Sequence, residues 1–474
     1  MTDASTPRPP ATTEKLNLLT KLAYGVGDLG TAISANILVF FQLIFLTNVA
    51  GLSPVVAGSI RTLAGIWDAI NDPIVGSLSD RIQTPWGRRY PWMALGAVPL
   101  GIFFFLFWVV PQFSANPGRQ EASLFWFYVI ISVLFNTAYT AVNLPYTALT
   151  PELTKDFDER TSLNQYRFTF SIGGSIVSLI LAQIVFANVE DTRMQYLLIG
   201  AVCAVFCVIP PFLCILGTRQ RIAEVQSPED DASTTIPYFT QLRIAFSNRP
   251  FLCVIGIYLF SWLAVQNTAA IIPYFVSDWM GLPAQDSAQV ALAVQGTAIV
   301  MLAVWNTVSY RVGKKVTYFM GMSIWIIAQI GLAFLQPGQI VWMYLLAILA
   351  GFGVSTAYLI PWSMLPDVVE LDVLQTGQRR EGIFYSFMVF LQKIGLALGQ
   401  LIIGIALQAA GFNGEADTQP PSALLAIRFA IGPLPAIFLI CGLIIAYFYP
   451  ITREVYEGIL LQLREREART PEEN

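Results

Sequence analysis

Two aspartates one helical turn apart inside an apolar run carry the clearest chemistry in this sequence. Asp68 and Asp72 lie in the segment Ile66-Trp67-Asp68-Ala69-Ile70-Asn71-Asp72-Pro73. At a spacing of four, both carboxylates project from one helix face, and Arg61, seven residues before Asp68, falls on roughly that face too. Carboxylates this close repel each other in a low dielectric, and a cation between them or a proton on one relieves the repulsion. A sodium ion wants several oxygens, which the carboxylates, the Asn71 amide and a hydroxyl from a neighbouring helix can supply. A proton needs one carboxylate only. Both readings predict a cation-coupling site. The alternative is that the pair merely locks helices together through Arg167 or Lys393.

Other charges fall inside apolar runs, where an ionised side chain is costly and usually faces a cavity or a partner. Asp28 follows Tyr24-Gly25-Val26-Gly27, Arg167 stands near the start of its run, and Lys393 lies deep in its own. Arg167 can snorkel to a surface; Lys393 requires a carboxylate or a substrate. Trp67, Tyr139, Tyr146, Trp262, Tyr358 and Trp362 offer ring faces to a sugar, or serve as packing. A different cluster, Gly76-Ser77-Leu78-Ser79-Asp80-Arg81 followed by Trp86-Gly87-Arg88-Arg89, reads as a surface latch, with Asp80, Arg81, Gly87 and Arg88 as its members. Glu152, Asp156, Asp158, Glu159 and Arg160, and later Asp367, Glu370, Asp372, Arg379, Arg380 and Glu381, form two matching charge groups that suggest a cytoplasmic gate.

The elements that carry these residues must be membrane helices. Of 474 residues, 55% are hydrophobic and 12% charged, against about 25% charged in soluble domains. Apolar runs recur along the chain, each long enough to cross about 30 Å of hydrocarbon. Twelve spans are predicted, near 19–48, 56–79, 91–111, 123–149, 164–188, 195–216, 250–277, 288–310, 316–335, 341–366, 383–410 and 423–449. Spans four and ten are expected to end at Pro145 to Pro151 and at Pro361 to Pro366. Gln336-Pro337-Gly338-Gln339 supplies the tight turn between spans nine and ten.

Composition also excludes functions. Histidine is absent, and no evident nucleophile–base pair or Gly-x-x-x-x-Gly-Lys-Ser/Thr loop exists, which argues against an enzyme and against a primary pump. Cys203, Cys207, Cys214, Cys253 and Cys441 have no metal-site spacing, so no cofactor or metal is expected beyond a sodium ion or proton at Asp68 and Asp72. The net charge of −4 gives no case for nucleic acid. The segment before the first span lacks a signal-peptide pattern.

Lysine and arginine concentrate on one side of the spans. Arg81, Arg88, Arg89, Lys155, Arg160, Arg219, Arg221, Arg243, Arg249, Arg311, Lys314, Lys315, Arg379 and Arg380 face Arg119 and Arg193 alone. The bias predicts both termini in the cytoplasm of a plasma (inner) membrane. The polar stretch after span six divides the chain into a tail 1–18, a bundle 19–216, a linker 217–249, a bundle 250–450 and a tail 451–474. Weak self-similarity at six-span spacing supports duplication: Pro145-Tyr146 with Pro361-Trp362, and Trp86-Gly87-Arg88-Arg89 with Val312-Gly313-Lys314-Lys315. The expected fold is all-α and integral to the membrane, with twelve transmembrane helices in two pseudo-symmetric six-helix bundles.

At Tyr24-Gly25-x-Gly27-Asp28, Trp67 to Pro73, Asp80 with Trp86-Gly87-Arg88, and Pro145-Tyr146-x-Ala148-Leu149, the chain resembles the glycoside–pentoside–hexuronide:cation symporters. These include the melibiose permeases of the major facilitator superfamily. The resemblance implies alternating access, symport of a sugar or glycoside driven by sodium or protons, a monomer, and contact with membrane lipid. It implies a cation site at Asp68, Asn71, Asp72 and Thr140, and a solute site including Asp28, Asn143, Tyr146, Arg167, Trp362 and Lys393. Where melibiose permeases use two aspartates to hold galactosyl hydroxyls, this chain has Ala32 and Asn143. Asn143-Leu144-Pro145-Tyr146 is also similar to relatives that carry lysophospholipids, so an amphiphilic solute is the alternative.

Overall fold

In hydrocarbon every backbone N–H and C=O must be satisfied inside its own segment or a closed barrel. The computed structural model, which describes residues 15–81, 84, 86–154, 157–225, 243, 246–377, 380–416 and 418–469, meets this requirement with helices. They are α1 (Leu18–Val26), α2 (Leu29–Ile44), α3 (Pro54–Arg81), α4 (Tyr90–Phe107), α5 (Pro117–Leu153), α6 (Phe157–Asn188), α7 (Thr192–Val225), α8 (Arg249–Tyr274), α9 (Ala284–Val312), α10 (Lys314–Phe334), α11 (Ile340–Thr376), α12 (Glu381–Ala409), α13 (Pro421–Ile431), α14 (Pro433–Phe448) and α15 (Arg453–Arg469). Eleven helical stretches among the described residues are long and apolar enough to cross a membrane. α3 is the twelfth; Arg61, Asp68, Asp72, Asp80 and Arg81 lower its hydropathy without shortening it. The first and last spans are each two helices: α1 breaks into α2 at Gly27-Asp28, and α13 into α14 at Gly432.

Two expected boundaries move. α5 continues through Pro145 and Pro151, and α11 through Pro361 and Pro366. A helix interior tolerates proline in a membrane when neighbouring helices and hydroxyls take up the freed backbone groups, so proline is a weaker stop signal here. The tail expected from 451 onward also forms a helix, α15. Most of the expected central linker lies outside the described residues.

The glycine-rich first span is explained by its packing. A side-chain carbon at Gly27 would stand 2.5 Å from the Tyr146 ring, and at Gly30 2.1 Å from the Phe206 carbonyl. Only hydrogen lets α1 and α2 lie this close to α5 and α7. The Asp28 N–H bonds back to Gly25 O at 3.1 Å, a tightened turn that sets the carboxylate between the two helices.

A repeated device closes one end of both bundles. Residues Phe45–Val49 after α2 and Phe275–Trp279 after α8 form single π-helical turns. Ala50 N bonds Phe45 O at 2.9 Å, and Met280 N bonds Phe275 O at 3.0 Å. Gly51 and Gly281 follow at φ of 71° and 66°, a left-handed conformation that suits glycine. Behind the geometry stands a shared pattern, Phe45-x-Thr47-Asn48-x-x-Gly51-Leu52 and Phe275-x-Ser277-Asp278-x-x-Gly281-Leu282. It is a third six-span repeat, beside those at the Pro145 and Pro361 segments and at the Gly87 and Gly313 loops.

Contacts joining the bundles run from these turns toward the membrane middle. Thr47 Oγ1 and Tyr274 Oη lie 2.7 Å apart. Gln295 donates to Asn36 Oδ1 at 2.8 Å. Along α3 and α12, Val55 N donates to Gln408 Oε1 at 2.9 Å and Thr62 Oγ1 to Ala397 O at 3.2 Å. The charge groups near the opposite end pair within their own bundles. Arg88 and Arg89 hold Glu152 at 3.2 and 3.1 Å, Lys314 holds Asp367 at 2.7 Å, and Arg380 holds Asp372 at 2.8 Å. The first and second of these sets are equivalent under the six-span repeat, each tying the loop after one span to the end of the span two further on.

Candidate cation and solute site

Where the α3–α12 contacts reach mid-membrane, four charged and hydroxyl groups converge. Lys393 Nζ lies 2.9 Å from Asp68 Oδ2 and also donates to Asp72 Oδ2. Thr140 Oγ1 on α5 lies 3.3 Å from Asp68 Oδ1 and 2.9 Å from Asp72 Oδ1. Ammonium and hydroxyl thus each bridge the same two carboxylates. Their positions follow from local structure: the four-residue spacing aligns the aspartates, while Trp67 Nε1 to Thr137 Oγ1 at 2.8 Å and Asn136 Nδ2 to Ala64 O at 2.9 Å hold α3 against α5. Asn71 is buried next to the pair, and its Nδ2 has no hydrogen-bond partner.

The expected locking role and the expected binding role coincide in Lys393, whose ammonium stands between the groups that would hold a cation. One oxygen of each carboxylate faces the ammonium and the other faces the Thr140 hydroxyl, so five oxygens, four carboxylate and one hydroxyl, lie within one cluster. Such a set suits a hard monovalent cation.

A second cluster joins Asp28, Arg167 and Tyr146. Arg167 Nε donates to Asp28 Oδ2 at 3.2 Å, and Thr31 Oγ1 donates to Asp28 Oδ1 at 2.9 Å. The guanidinium lies 5.7 Å from the Tyr146 ring centre. Tyr146 is buried, stacked on Tyr24 at 5.0 Å, and donates to Tyr24 O at 2.8 Å. The Asp28 carboxylate is therefore already engaged on both oxygens. Asn143, one turn from Tyr146, has a buried Oδ1 with no partner. Among residues the sequence did not single out, Thr31 was signalled only by its i+3 spacing from Asp28.

On the second bundle the aromatic side chains form a chain of ring contacts. Tyr258 stacks on Trp262 at 5.8 Å, Trp262 meets Tyr358 at 5.6 Å, and Trp362 meets Tyr258 at 5.8 Å and Tyr385 at 6.2 Å. The expected latch is partly visible. Gly87 has φ of 93° and Arg88 pairs with Glu152. The side chains of Asp80, Arg81 and Asp158, and residues Lys155, Asp156 and Arg379, lie outside those described. The five cysteines are free thiols.

Residues 23–453 match the family model described as MFS/sugar transport protein. The chain belongs to this family. It is therefore a multi-pass membrane transporter of the major facilitator superfamily. It is 47% identical to an uncharacterized symporter, sll1374, of Synechocystis sp., over 96% of this chain and 98% of that one. It is 30% identical to the sodium-dependent lysophosphatidylcholine symporter 1-A of Danio rerio, over 94% of this chain and 89% of that one. The fold of the transporter matches that of a bacterial homologue of the human lysosomal transporter Spinster. The TM-score is 0.66 at 14% identity, covering 91% of this chain and 95% of that one.

Proposed function

We propose that this transporter is a sodium-coupled symporter of a lysophospholipid-type amphiphile. The observation that carries the coupling is the shared position of Lys393 and Thr140 on Asp68 and Asp72. Sodium entering this site takes the oxygens of Asp68, Asp72, Thr140 and Asn71 and displaces the Lys393 ammonium. The released ammonium then offers a charge-assisted hydrogen bond to the phosphate of an amphiphile headgroup. Ion and solute are thereby linked: neither the freed lysine nor the loaded carboxylates are comfortable alone.

Two further features favour an amphiphile. Asp28, the span-one carboxylate available to hold sugar hydroxyls, is committed to Arg167 and Thr31. The aromatic cluster around Trp262 and Trp362 provides ring faces that attract a quaternary ammonium. The similarity to a lysophosphatidylcholine symporter supports the same choice. The second reading is symport of a sugar or glycoside, which the same ring faces could stack. With both termini in the cytoplasm, the inter-bundle contacts lie on the outer side, and the structure corresponds to an inward-facing state. The transporter acts as a monomer in the plasma (inner) membrane.

The test is uptake into proteoliposomes of labelled lysophosphatidylcholine and of a panel of glycosides, with inward sodium or proton gradients. Sodium-driven accumulation of the lysolipid is expected in the native protein and not in Asp72→Asn or Asp68→Asn. Equal accumulation by either variant sinks the coupling site. Sodium-driven uptake of a glycoside and not of the lysolipid selects the second reading.

A further inference from the structure

Arg61 is a half-buried charge that the coupling site leaves over. It lies on α3 seven residues before Asp68, about 10 Å along the helix axis. Three other cations in the helices have carboxylate partners: Lys393 has Asp68 and Asp72, Arg167 has Asp28, and Lys314 has Asp367; Arg428 instead gives its guanidinium to Ala333 O and the Trp279 ring. Among the described residues no such ion pair is formed by Arg61. Its side chain lines a small cavity between α2, α3, α4 and α5 with room for about one water molecule.

Two polar side chains in the wall are themselves orphaned. Gln42 is 2% exposed and Ser132 5%. Both line this cavity, and neither Gln42 Oε1 nor Ser132 Oγ has a hydrogen-bond partner. Asn136 shares the wall, with its amide nitrogen given to Ala64 O. The remainder is apolar, with the rings of Phe104, Phe107 and Phe135 and the side chain of Leu38.

The chemistry of this set selects its ligand. The guanidinium has only donors, the serine hydroxyl is free to donate, and a half-turn of the Gln42 amide presents NH2 in place of oxygen. A neutral water would satisfy Gln42 and Ser132 and leave the arginine charge unbalanced. A phosphate or sulfate exceeds the space. We propose that Arg61, Ser132 and Gln42 bind one monovalent anion of halide size, chloride under physiological conditions.

This site has a consequence for coupling, and that part rests on the sodium reading above. Asp68 is the nearest carboxylate along α3, so a bare Arg61 competes for its field with the entering cation. A bound chloride neutralises Arg61 and leaves Asp68 to the cation. Chloride therefore tightens sodium binding without being part of the sodium site.

The experiment uses the purified full chain in detergent. Its first arm compares thermal unfolding in choline chloride, choline bromide, choline gluconate and choline sulfate, with no sodium and no solute. Chloride and bromide are expected to raise the melting temperature saturably, and gluconate and sulfate are not. Ser132→Ala, which preserves the arginine, is expected to raise the half-saturating chloride concentration about tenfold. R61Q is expected to abolish the response. If R61Q does not fold, S132A and a bromide soak decide, because bromide's anomalous scattering must appear beside Arg61. Equal melting temperatures in all four salts, an undiminished chloride response in S132A, or bromide absent from Arg61 each overturn the site. The second arm titrates sodium in chloride and in gluconate. A lower sodium midpoint in chloride is expected, and equal midpoints overturn the coupling role while leaving the first arm to judge the anion site.

Discussion

Replacing Lys393 with methionine separates a lysine that competes with the coupling ion from one that only fastens helices. Methionine keeps the length and removes the charge. The lost contacts are the 2.9 Å contact to Asp68 and the hydrogen bond to Asp72. In bare Coulomb terms one such pair is worth about 6 kcal/mol at an effective dielectric of about 20. The groups are 17–29% exposed, and desolvation returns much of that. A net value of about 1.5–3 kcal/mol, typical of charged hydrogen bonds, remains. In the native protein sodium must overcome this to enter. K393M should therefore bind sodium about ten- to a hundredfold more tightly. Without sodium the variant leaves two facing carboxylates uncompensated, a loss of about 3–5 kcal/mol for a broken buried pair. The native protein is then the more stable in sodium-free buffer, and sodium narrows the gap. The assay is thermal unfolding across a sodium titration, with choline holding ionic strength constant. A folded K393M whose sodium midpoint equals or exceeds that of the native protein refutes the competition. The same variant should lose sodium-driven lysolipid accumulation, since the ion binds without releasing a headgroup partner.

Other perturbations follow from the same geometry. Thr140→Ala removes a single neutral ligand and should raise the sodium midpoint about tenfold, with a melting temperature in choline lowered by the lost hydrogen bond to the aspartates, worth about 1 kcal/mol or more; an unchanged midpoint takes Thr140 out of the site. Gly30→Ala places a carbon against the Phe206 carbonyl and should destabilise by about 1–3 kcal/mol or more, read as a lower melting temperature; a native value would contradict the close packing of α2 on α7. Tyr274→Phe removes the hydroxyl that meets Thr47 across the bundles, worth about 1 kcal/mol. Double electron–electron resonance between labels on α2 and α8 should then show an outward-facing population increased about fivefold, and no change in the distance distribution would deny Thr47–Tyr274 a gating role.

The sequence by itself determined what depends on local spacing and on solvent. Hydrophobic runs of sufficient length must become membrane helices, because only helices satisfy a backbone in hydrocarbon along one segment. The four-residue interval puts Asp68 and Asp72 on one face whatever surrounds them. The positions of Lys393 and Arg167 in apolar runs likewise announced a need for partners. Which partners they take was decided by tertiary structure. Lys393 meets Asp72 across 321 residues of chain, and Thr140 reaches both aspartates from 68 and 72 residues away. Spacing favoured a cation site at Asp68 and Asp72 and left a helix lock as the alternative. Only the packing of α12 and of α5 on α3 put a competing ammonium and a bridging hydroxyl at the same carboxylates. Prolines told less than they do in water, since α5 and α11 pass through theirs. The π-helical turns after α2 and α8 were written in the sequence as Phe45 to Leu52 and Phe275 to Leu282, yet only their shared i to i+5 bonds gave the repeat a meaning. Long-range partners are chosen by which helix faces fit together, and a linear pattern fixes a face without naming what it will meet.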